Sequence, residues 1–288
     1  MDRVLLGDNQ FFGINHMSEE KARTQAMQFC DAAAIIKVLD AAYAEGIRTF
    51  MCTTHARVAE VCDHIRANRD RYIDYKFYPC MPYAHKYANA ATELGVIGAI
   101  RSFLPEGNAL GTLLSGGVSV ARKDIEGLAA LLIDAEMKMF AGLDTPVILL
   151  QNVATDFLLG LGFDDAFRIF AEHVRDRYHA EPGFITMNAP RLLARLEKVG
   201  IANPIICANI NRLGFRMCGG QPAYEDMMTH GSCRLIAMSV LASGALSAQQ
   251  ALEYVCKYPQ IKSIVFGASN RSHIAQTRQL IEQLTPAD

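Results

Sequence analysis

The chain alternates short apolar runs with amphipathic helical patterns along its whole length, and no segment rich in proline, glycine or serine divides the series. Eight of these runs have the length and composition of β-strands, and the segments between them are long enough to hold return helices. The runs begin at Arg3, Thr49, Lys76, Val147, Gly183, Ile205, Leu235 and Ser263. An alternation of this length predicts an α/β fold with a parallel sheet, either a closed (β/α)8 barrel or an open doubly wound sheet.

Chain length and the first loop favour the barrel. The chain has 288 residues, close to the roughly 250 residues of a (β/α)8 barrel. The first strand, Arg3 to Leu6, is followed by Gly7-Asp8-Asn9-Gln10 and not by the glycine pattern of a dinucleotide-binding sheet. We therefore predict one TIM-barrel domain over residues 1–288. Helical patterns run on through residues 85–142, which predicts a helical insertion there.

The composition excludes several classes of protein. Hydrophobic residues make up 51% of the chain, and the net charge is −2, which predicts a packed core and gives no basic surface for nucleic acid. No apolar run approaches the roughly 20 residues that cross a bilayer, and no signal-peptide pattern begins the chain. We expect a cytoplasmic protein whose partner is a small molecule, with a homo-oligomer left open. The eight cysteines form no C-x-x-C pair, so a disulfide framework is not expected.

Polar side chains follow nearly every predicted strand. Because the carboxyl ends of barrel strands converge on one face, these residues predict a single site there. Amides predominate among them, which suits a polar, uncharged ligand held by hydrogen bonds. The alternative is that they only satisfy loop backbone groups. The predicted substrate-binding residues, which we call the polar rim, are Asn9, Gln10, Thr54, Gln151, Asn152, Asn188, Asn209 and Asn211.

Few residues near these strand ends can exchange a proton. Asp8 is the carboxylate that follows the first strand, and His16 and His55 lie in the first two loops. A general acid or base must be titratable and within reach of the substrate, so we predict that Asp8 acts with His16 or His55. Cys52 and Cys80 with Asp8 and a histidine would form a soft metal site. No metal-binding spacing supports that arrangement, so no metal ligand is predicted.

The turn that opens the last helix has the character of an anion site. Gly267-Ala268-Ser269-Asn270-Arg271 combines small residues, free N–H groups and a guanidinium at a helix N-terminus, where the helix dipole favours negative charge. An ordinary N-cap by Ser269 or Asn270 explains the same residues. The two readings are compatible.

Three segments resemble the aldo-keto reductase superfamily. Ile236 to Leu246 resembles the family's seventh strand, I-A-x-S-P-L-A-x-G-x-L, and Phe266 to Ile274 resembles its last, P-G-x-S-x-x-x-H-I/L. Leu39 to Phe50 is similar to the family's entry to its catalytic loop. The resemblance implies a TIM barrel that binds the phosphates of NADP(H). The cofactor-binding residues that it implies are Ser239, Gly267, Ser269, Asn270 and Arg271.

The resemblance fails at the catalytic groups. The family's reductases place an Asp, a Tyr, a Lys and a His around the substrate carbonyl. Where the family continues after Phe50 with D-T-A-x-x-Y, this chain has Met51-Cys52-Thr53-Thr54-His55. Cys80 ends the third strand, and Gln151 stands where the family's histidine falls. The resemblance therefore implies a reductase-like frame with an altered active site.

The sequence leaves three functions open. The first is an enzyme that acts on a small polar metabolite and binds a phosphate or cofactor at the last turn. The second is a non-catalytic barrel that binds a small ligand. The third is a metal-dependent lyase, isomerase or hydrolase on the same fold.

Overall fold

A computed structural model describes residues 1–14, 18–83 and 118–285 of the chain. Eight parallel strands close into a barrel in sequence order, and β1 pairs with both β2 and β8. The prediction of a (β/α)8 TIM barrel is confirmed. The strands are β1 (Val4–Leu6), β2 (Thr49–Thr53), β3 (Lys76–Met81), β4 (Val147–Leu150), β5 (Glu181–Thr186), β6 (Ile205–Asn209), β7 (Arg234–Met238) and β8 (Ile261–Phe266).

Ten α-helices lie within the described residues. They are α1 (Glu19–Gln28), α2 (Ala32–Ala44), α3 (Ala56–Ala67), α4 (Val118–Met137), α5 (Asn152–Leu161), α6 (Asp165–Tyr178), α7 (Ala189–Lys198), α8 (Gln221–His230), α9 (Ala248–Cys256) and α10 (Arg271–Leu284). Of these described helices, none has the length and apolar character needed to cross a bilayer.

Local sequence explains several helix boundaries. Asp31 caps α2 by accepting a hydrogen bond from the Ala34 N–H at 2.8 Å, and Ser247 and Gln250 form a reciprocal capping box at the start of α9. Gly162, with a φ of 69°, ends α5 in the left-handed conformation that glycine adopts readily. These contacts fix where each helix leaves the barrel wall.

The core has two layers on either side of the sheet. Inward-facing residues of successive strands fill the barrel, among them Leu5, Tyr78 and Leu149. Outward-facing residues pack against the helices. Phe184 of β5 contacts Phe167 and Phe170 of α6 with both pairs of ring centroids 5.7 Å apart. Burying each such ring contributes about 1.5–3 kcal/mol, so the barrel is a rigid support for the loops at its rim.

The predicted insertion around residues 85–142 is described in part. Residues 84–117 lie outside the described residues. The remainder forms α4 and a short 3₁₀ turn, Lys138–Phe140, before β4.

Candidate active site

A cavity of about 490 Å³ opens at the carboxyl ends of the strands. Residues from the ends of β1 to β8 line it, as expected for a barrel of this type. Eight of the residues predicted for the site are among them. These are Asp8, Asn9, Gln10, Gln151, Asn152, Asn209, Ser239 and Gly267.

Asp8 is a buried carboxyl in this cavity. The Gly7 N–H donates to the Phe266 carbonyl at 2.9 Å, which continues the sheet to the edge of the cavity before the chain enters the 3₁₀ turn Asn9–Phe12. Asp8 is 7% exposed. Its Oδ2 accepts hydrogen bonds from the backbone N–H and the hydroxyl of Thr53, both at 2.7 Å. Asp8 is thereby fixed against the end of β2.

Burial raises the pKa of the Asp8 carboxyl above its ordinary value of 3.8. The two hydrogen bonds from Thr53 act in the opposite direction, and their effect is smaller than that of burial. No lysine or arginine within the described residues forms an ion pair with Asp8. A carboxyl in this environment keeps its proton to a higher pH than an exposed one, which suits a general acid.

His55 caps α3 and is not among the described residues that line the cavity. Its Nδ1 accepts a hydrogen bond from the Arg57 N–H at 3.0 Å, and its ring packs against those of Phe12 and Tyr83 at centroid distances of 4.3 and 5.6 Å. Burial lowers the pKa of His55, and the charge of Arg57 lowers it further. The ring is therefore neutral at neutral pH, with its proton on Nε2. His16, the alternative predicted partner of Asp8, lies outside the described residues.

Tyr83 lines the cavity and was not predicted from the sequence. It is 9% exposed, and burial, followed by the charge of Asp8, raises the pKa of its phenol. The sequence contained a signal for it, because Tyr83 lies three residues beyond Cys80, the predicted end of the third strand. Site residues were predicted only from the positions that directly follow a strand, and Tyr83 lies beyond those positions.

The structure does not bring the whole polar rim together. Asn209 lines the cavity, whereas Asn211 is buried within its own loop. Asn188 caps α7 by accepting from the Arg191 N–H, and the Thr54 hydroxyl donates to Glu136 of α4. In this geometry Thr54, Asn188 and Asn211 serve the backbone and the packing around the cavity.

Gly267 is required by a close approach to Gln10. A Cβ atom at position 267 would lie 2.3 Å from the Gln10 Oε1. Gln10 has little freedom to move, because it is buried and its Nε2 donates to the Gly7 carbonyl at 2.8 Å. Gly267 therefore lets the start of β1's loop pack against the end of β8.

The segments that resemble the seventh and last strands of the aldo-keto reductases each end in a turn. The first of these turns follows β7. Ser239, Ala242 and Ser243 have positive φ values of 54°, 46° and 58°, and the Ala242 N–H donates within the turn to the Ser239 carbonyl at 2.9 Å. Ser239 and Ser243 line the cavity. This turn therefore places two serine residues at the cavity.

The turn at α10 combines a cap and an ion pair. Asn270 caps the helix by accepting from the His273 N–H at 2.9 Å, while the Arg271 Nε lies 2.7 Å from the Glu45 Oε1 at the end of α2. The side-chain contacts of this turn are therefore those of an ordinary N-cap, and Arg271 is paired with the Glu45 carboxylate. Within the described part of the chain, no group of three or more His, Cys, Asp or Glu side chains is placed to hold a metal ion.

No protein-family model matches the chain, and no curated protein matches its sequence. Solved structures do match its fold. A Pseudomonas aeruginosa protein assigned to the aldo-keto reductases is 13% identical, with 98% of this chain and 89% of that chain covered and a TM-score of 0.58. An aldo/keto reductase from Brucella melitensis is 10% identical, with 98% and 93% covered and a TM-score of 0.55. This chain folds as an aldo-keto-reductase-like TIM barrel.

One structural neighbour of this aldo-keto-reductase-like barrel was solved with a cofactor. A variant of the protein Gox0644, in complex with NADPH, is 9% identical, with 99% of this chain and 89% of that chain covered and a TM-score of 0.50. At such low sequence identities, these structural matches establish the shared fold alone. The chemistry has to be argued from the residues of the site.

Proposed function

We propose that this aldo-keto-reductase-like barrel is an oxidoreductase with an altered active site that acts on a small polar metabolite. The observation that carries the proposal is Asp8, a carboxyl buried in the cavity at the carboxyl ends of the strands. Met51, which follows Phe50 where the reductases carry their Asp, also lines the cavity. The acidic group of the site is thus supplied from the end of β1 instead of the end of β2.

Asp8 would transfer the proton of the reaction. In the reductive direction, a carbonyl carbon of the substrate gains a hydride and its oxygen takes the proton of the Asp8 carboxyl, which leaves an alcohol and a carboxylate. The Thr53 N–H and hydroxyl that contact Asp8 stabilise this carboxylate. A water molecule that enters the cavity would then return a proton to Asp8. Tyr83 also lines the cavity, and its phenol would orient the substrate oxygen.

The residues of the two turns fit NADP(H). Ser239 and Ser243 line the cavity in a left-handed turn, and Ser269, Asn270 and Arg271 supply polar groups and a cation at the start of α10. When bound, NADPH supplies the hydride. These residues would hold its phosphates and so fix its position relative to Asp8.

The ion pair between Arg271 and Glu45 gives a sharp test of the phosphate site. Arg271 must exchange Glu45 for a phosphate group, so Glu45→Gln is expected to tighten NADPH binding and Arg271→Gln to weaken it, each by about threefold to tenfold. Fluorescence titration of the full chain with NADPH measures both. Equal affinities in the wild type and both variants would exclude Arg271 from the site, and absence of NADPH binding to the wild type would remove the cofactor from the proposal.

The enzymatic part is tested by NADPH consumption with a panel of small aldehydes, ketones and oxo acids. Turnover that survives exhaustive chelation supports the Asp8 chemistry over a metal-dependent reaction. A protein that binds members of the panel and turns none of them over in either direction would be the non-catalytic binding barrel.

A further inference from the structure

Arg216 is a cation of the cavity that the sequence reading missed. It lies seven residues beyond the end of β6, in the loop that leads to α8, and its side chain is exposed where it lines the cavity. Among the described residues that line the cavity, Arg216 is the only arginine, lysine or histidine. The amide-rich rim predicted an uncharged ligand. Arg216 adds a positive charge to that rim.

Two buried asparagines hold the Arg216 loop in place. Asn209, which is 1% exposed, donates from its Nδ2 to the Arg216 carbonyl at 3.2 Å. Asn211 is fully buried, accepts from the Phe215 N–H at 2.8 Å and donates to the Phe215 carbonyl at 2.9 Å. Arg216 itself has a φ of +56°, which a non-glycine residue keeps only where its surroundings enforce it. The loop is therefore preorganised to present this side chain.

The guanidinium of Arg216 has no carboxylate partner within the described part of the chain. Its carbon lies 5.6 Å from the centroid of the Phe215 ring. Arg271, by contrast, is paired with Glu45, and Arg57 donates to the Phe11 and Phe29 carbonyls. Arg216 thus has its planar set of donors available for an anion at the mouth of the cavity.

The Arg216 loop lies at a different part of the cavity mouth from the turn that holds Arg271. Its loop is tied to β5 and β6, because Asn209 contacts the Met187 Sδ at 2.8 Å and the Cys218 N–H donates to the Met187 carbonyl at 2.9 Å. Of the two turns proposed for phosphate, the one at residues 267–271 follows β8, on the other side of β7, and the one at Ser239 and Ser243 follows β7, next to β6. Arg216 and Arg271 are therefore separated by β7, and NADPH binding to an Arg216 variant distinguishes a substrate role from a phosphate role.

We propose that Arg216 binds a carboxylate of the metabolite, so that the substrates are small oxo acids and their hydroxy acid counterparts. The identity of the reacting group rests on the function proposed for Asp8, whereas the carboxylate site stands on Arg216 alone. A guanidinium binds a carboxylate through two parallel hydrogen bonds, which orients the acid within the cavity and selects against its neutral analogue.

The test uses oxo acids of three to six carbons, each paired with its neutral amide, and calorimetric titration of the full chain. The variant is Arg216→Gln, and the matched control is Arg212→Gln, an exposed arginine of the same loop that lines a separate surface groove. We expect the tightest acid to bind Arg216→Gln about tenfold to a hundredfold more weakly than the wild type. Its affinity for Arg212→Gln, the affinity of the amide, and NADPH binding to Arg216→Gln should be unchanged.

Three results would overturn the carboxylate site. They are acids that bind the wild type no better than their amides, equal losses in the two arginine variants, and loss of NADPH binding in Arg216→Gln with acid binding intact. The proposed function fails separately. An Asp8→Asn variant that still turns over the bound acid would refute the role of Asp8 and leave acid binding at Arg216 in place.

Discussion

Asp8→Asn lowers turnover by about a hundredfold to ten-thousandfold in a protein that remains folded, if Asp8 transfers the proton. The amide has nearly the same shape as the carboxyl, and its oxygen still accepts the hydrogen bonds from Thr53. It has no acidic proton to give to the substrate oxygen. The measurement is kcat/KM for a substrate identified by the NADPH panel, with circular dichroism as the check on folding.

Asp165→Asn is the matched control, because Asp165 is an exposed carboxylate of α6 that pairs with Arg168 on the helix surface. It should leave kcat/KM unchanged. Full turnover by Asp8→Asn would remove Asp8 from the proton-transfer step.

The raised pKa of Asp8 also gives the sign of two pH effects. In the reductive direction the protonated carboxyl is the active form, so kcat/KM is expected to fall as the pH rises through the raised pKa.

The folded state binds the Asp8 proton more tightly than the unfolded state. The stability that Asp8 contributes is therefore present in full at pH values below the ordinary pKa of the unfolded state. It is lost as the pH rises through the pKa of the folded state. Thermal unfolding at neutral pH should show Asp8→Asn to be at least as stable as the wild type.

Asn211→Ala is expected to destabilise the protein by about 3 kcal/mol, because it leaves several backbone groups without partners in a buried position. Asn211 is fully buried and accepts from the Leu213 and Phe215 N–H groups while donating to the Phe215 carbonyl. Loss of these contacts also releases Arg216 from its left-handed backbone form. Urea unfolding gives the change in stability, and titration with an oxo acid gives the accompanying loss of affinity.

Asn188→Ala provides the comparison for this prediction. Asn188 was predicted for the same polar rim, but it caps α7 at the edge of the barrel. Its replacement should cost about 1 kcal/mol, as for an ordinary N-cap, without weakening acid binding. Equal effects of the two substitutions would show that Asn211 has no special part in the Arg216 loop.

The fold followed closely from the sequence because strand runs and caps are local signals. The strand runs predicted to begin at Thr49, Lys76 and Val147 are observed as β2, β3 and β4 with those first residues. Helix α5 was missed. It follows β4 directly, in a position where Gln151 and Asn152 were read as loop residues alone.

The site was less predictable, because its geometry depends on contacts between distant segments. The rule that residues following a strand lie at the mouth of the barrel found Asp8 and Asn209, which line the cavity. The same rule could not show that Asn211 turns into its own loop. Arg216 lies too far from its strand for that rule to find it. The pairing of Arg271 with Glu45 joins residues 226 positions apart, and no local pattern in the sequence encodes it.

Titration of the Asp8 carboxyl itself tests the central claim most directly. The carboxyl carbon can be followed by NMR in a full-length protein labelled with ¹³C at its aspartates, and the Asp8→Asn variant assigns the resonance. We predict a midpoint above the ordinary value of 3.8, coinciding with the pH at which kcat/KM falls. A midpoint at or below 3.8 would mean that Asp8 is ionised under working conditions, and it would contradict its role as the acid of this site.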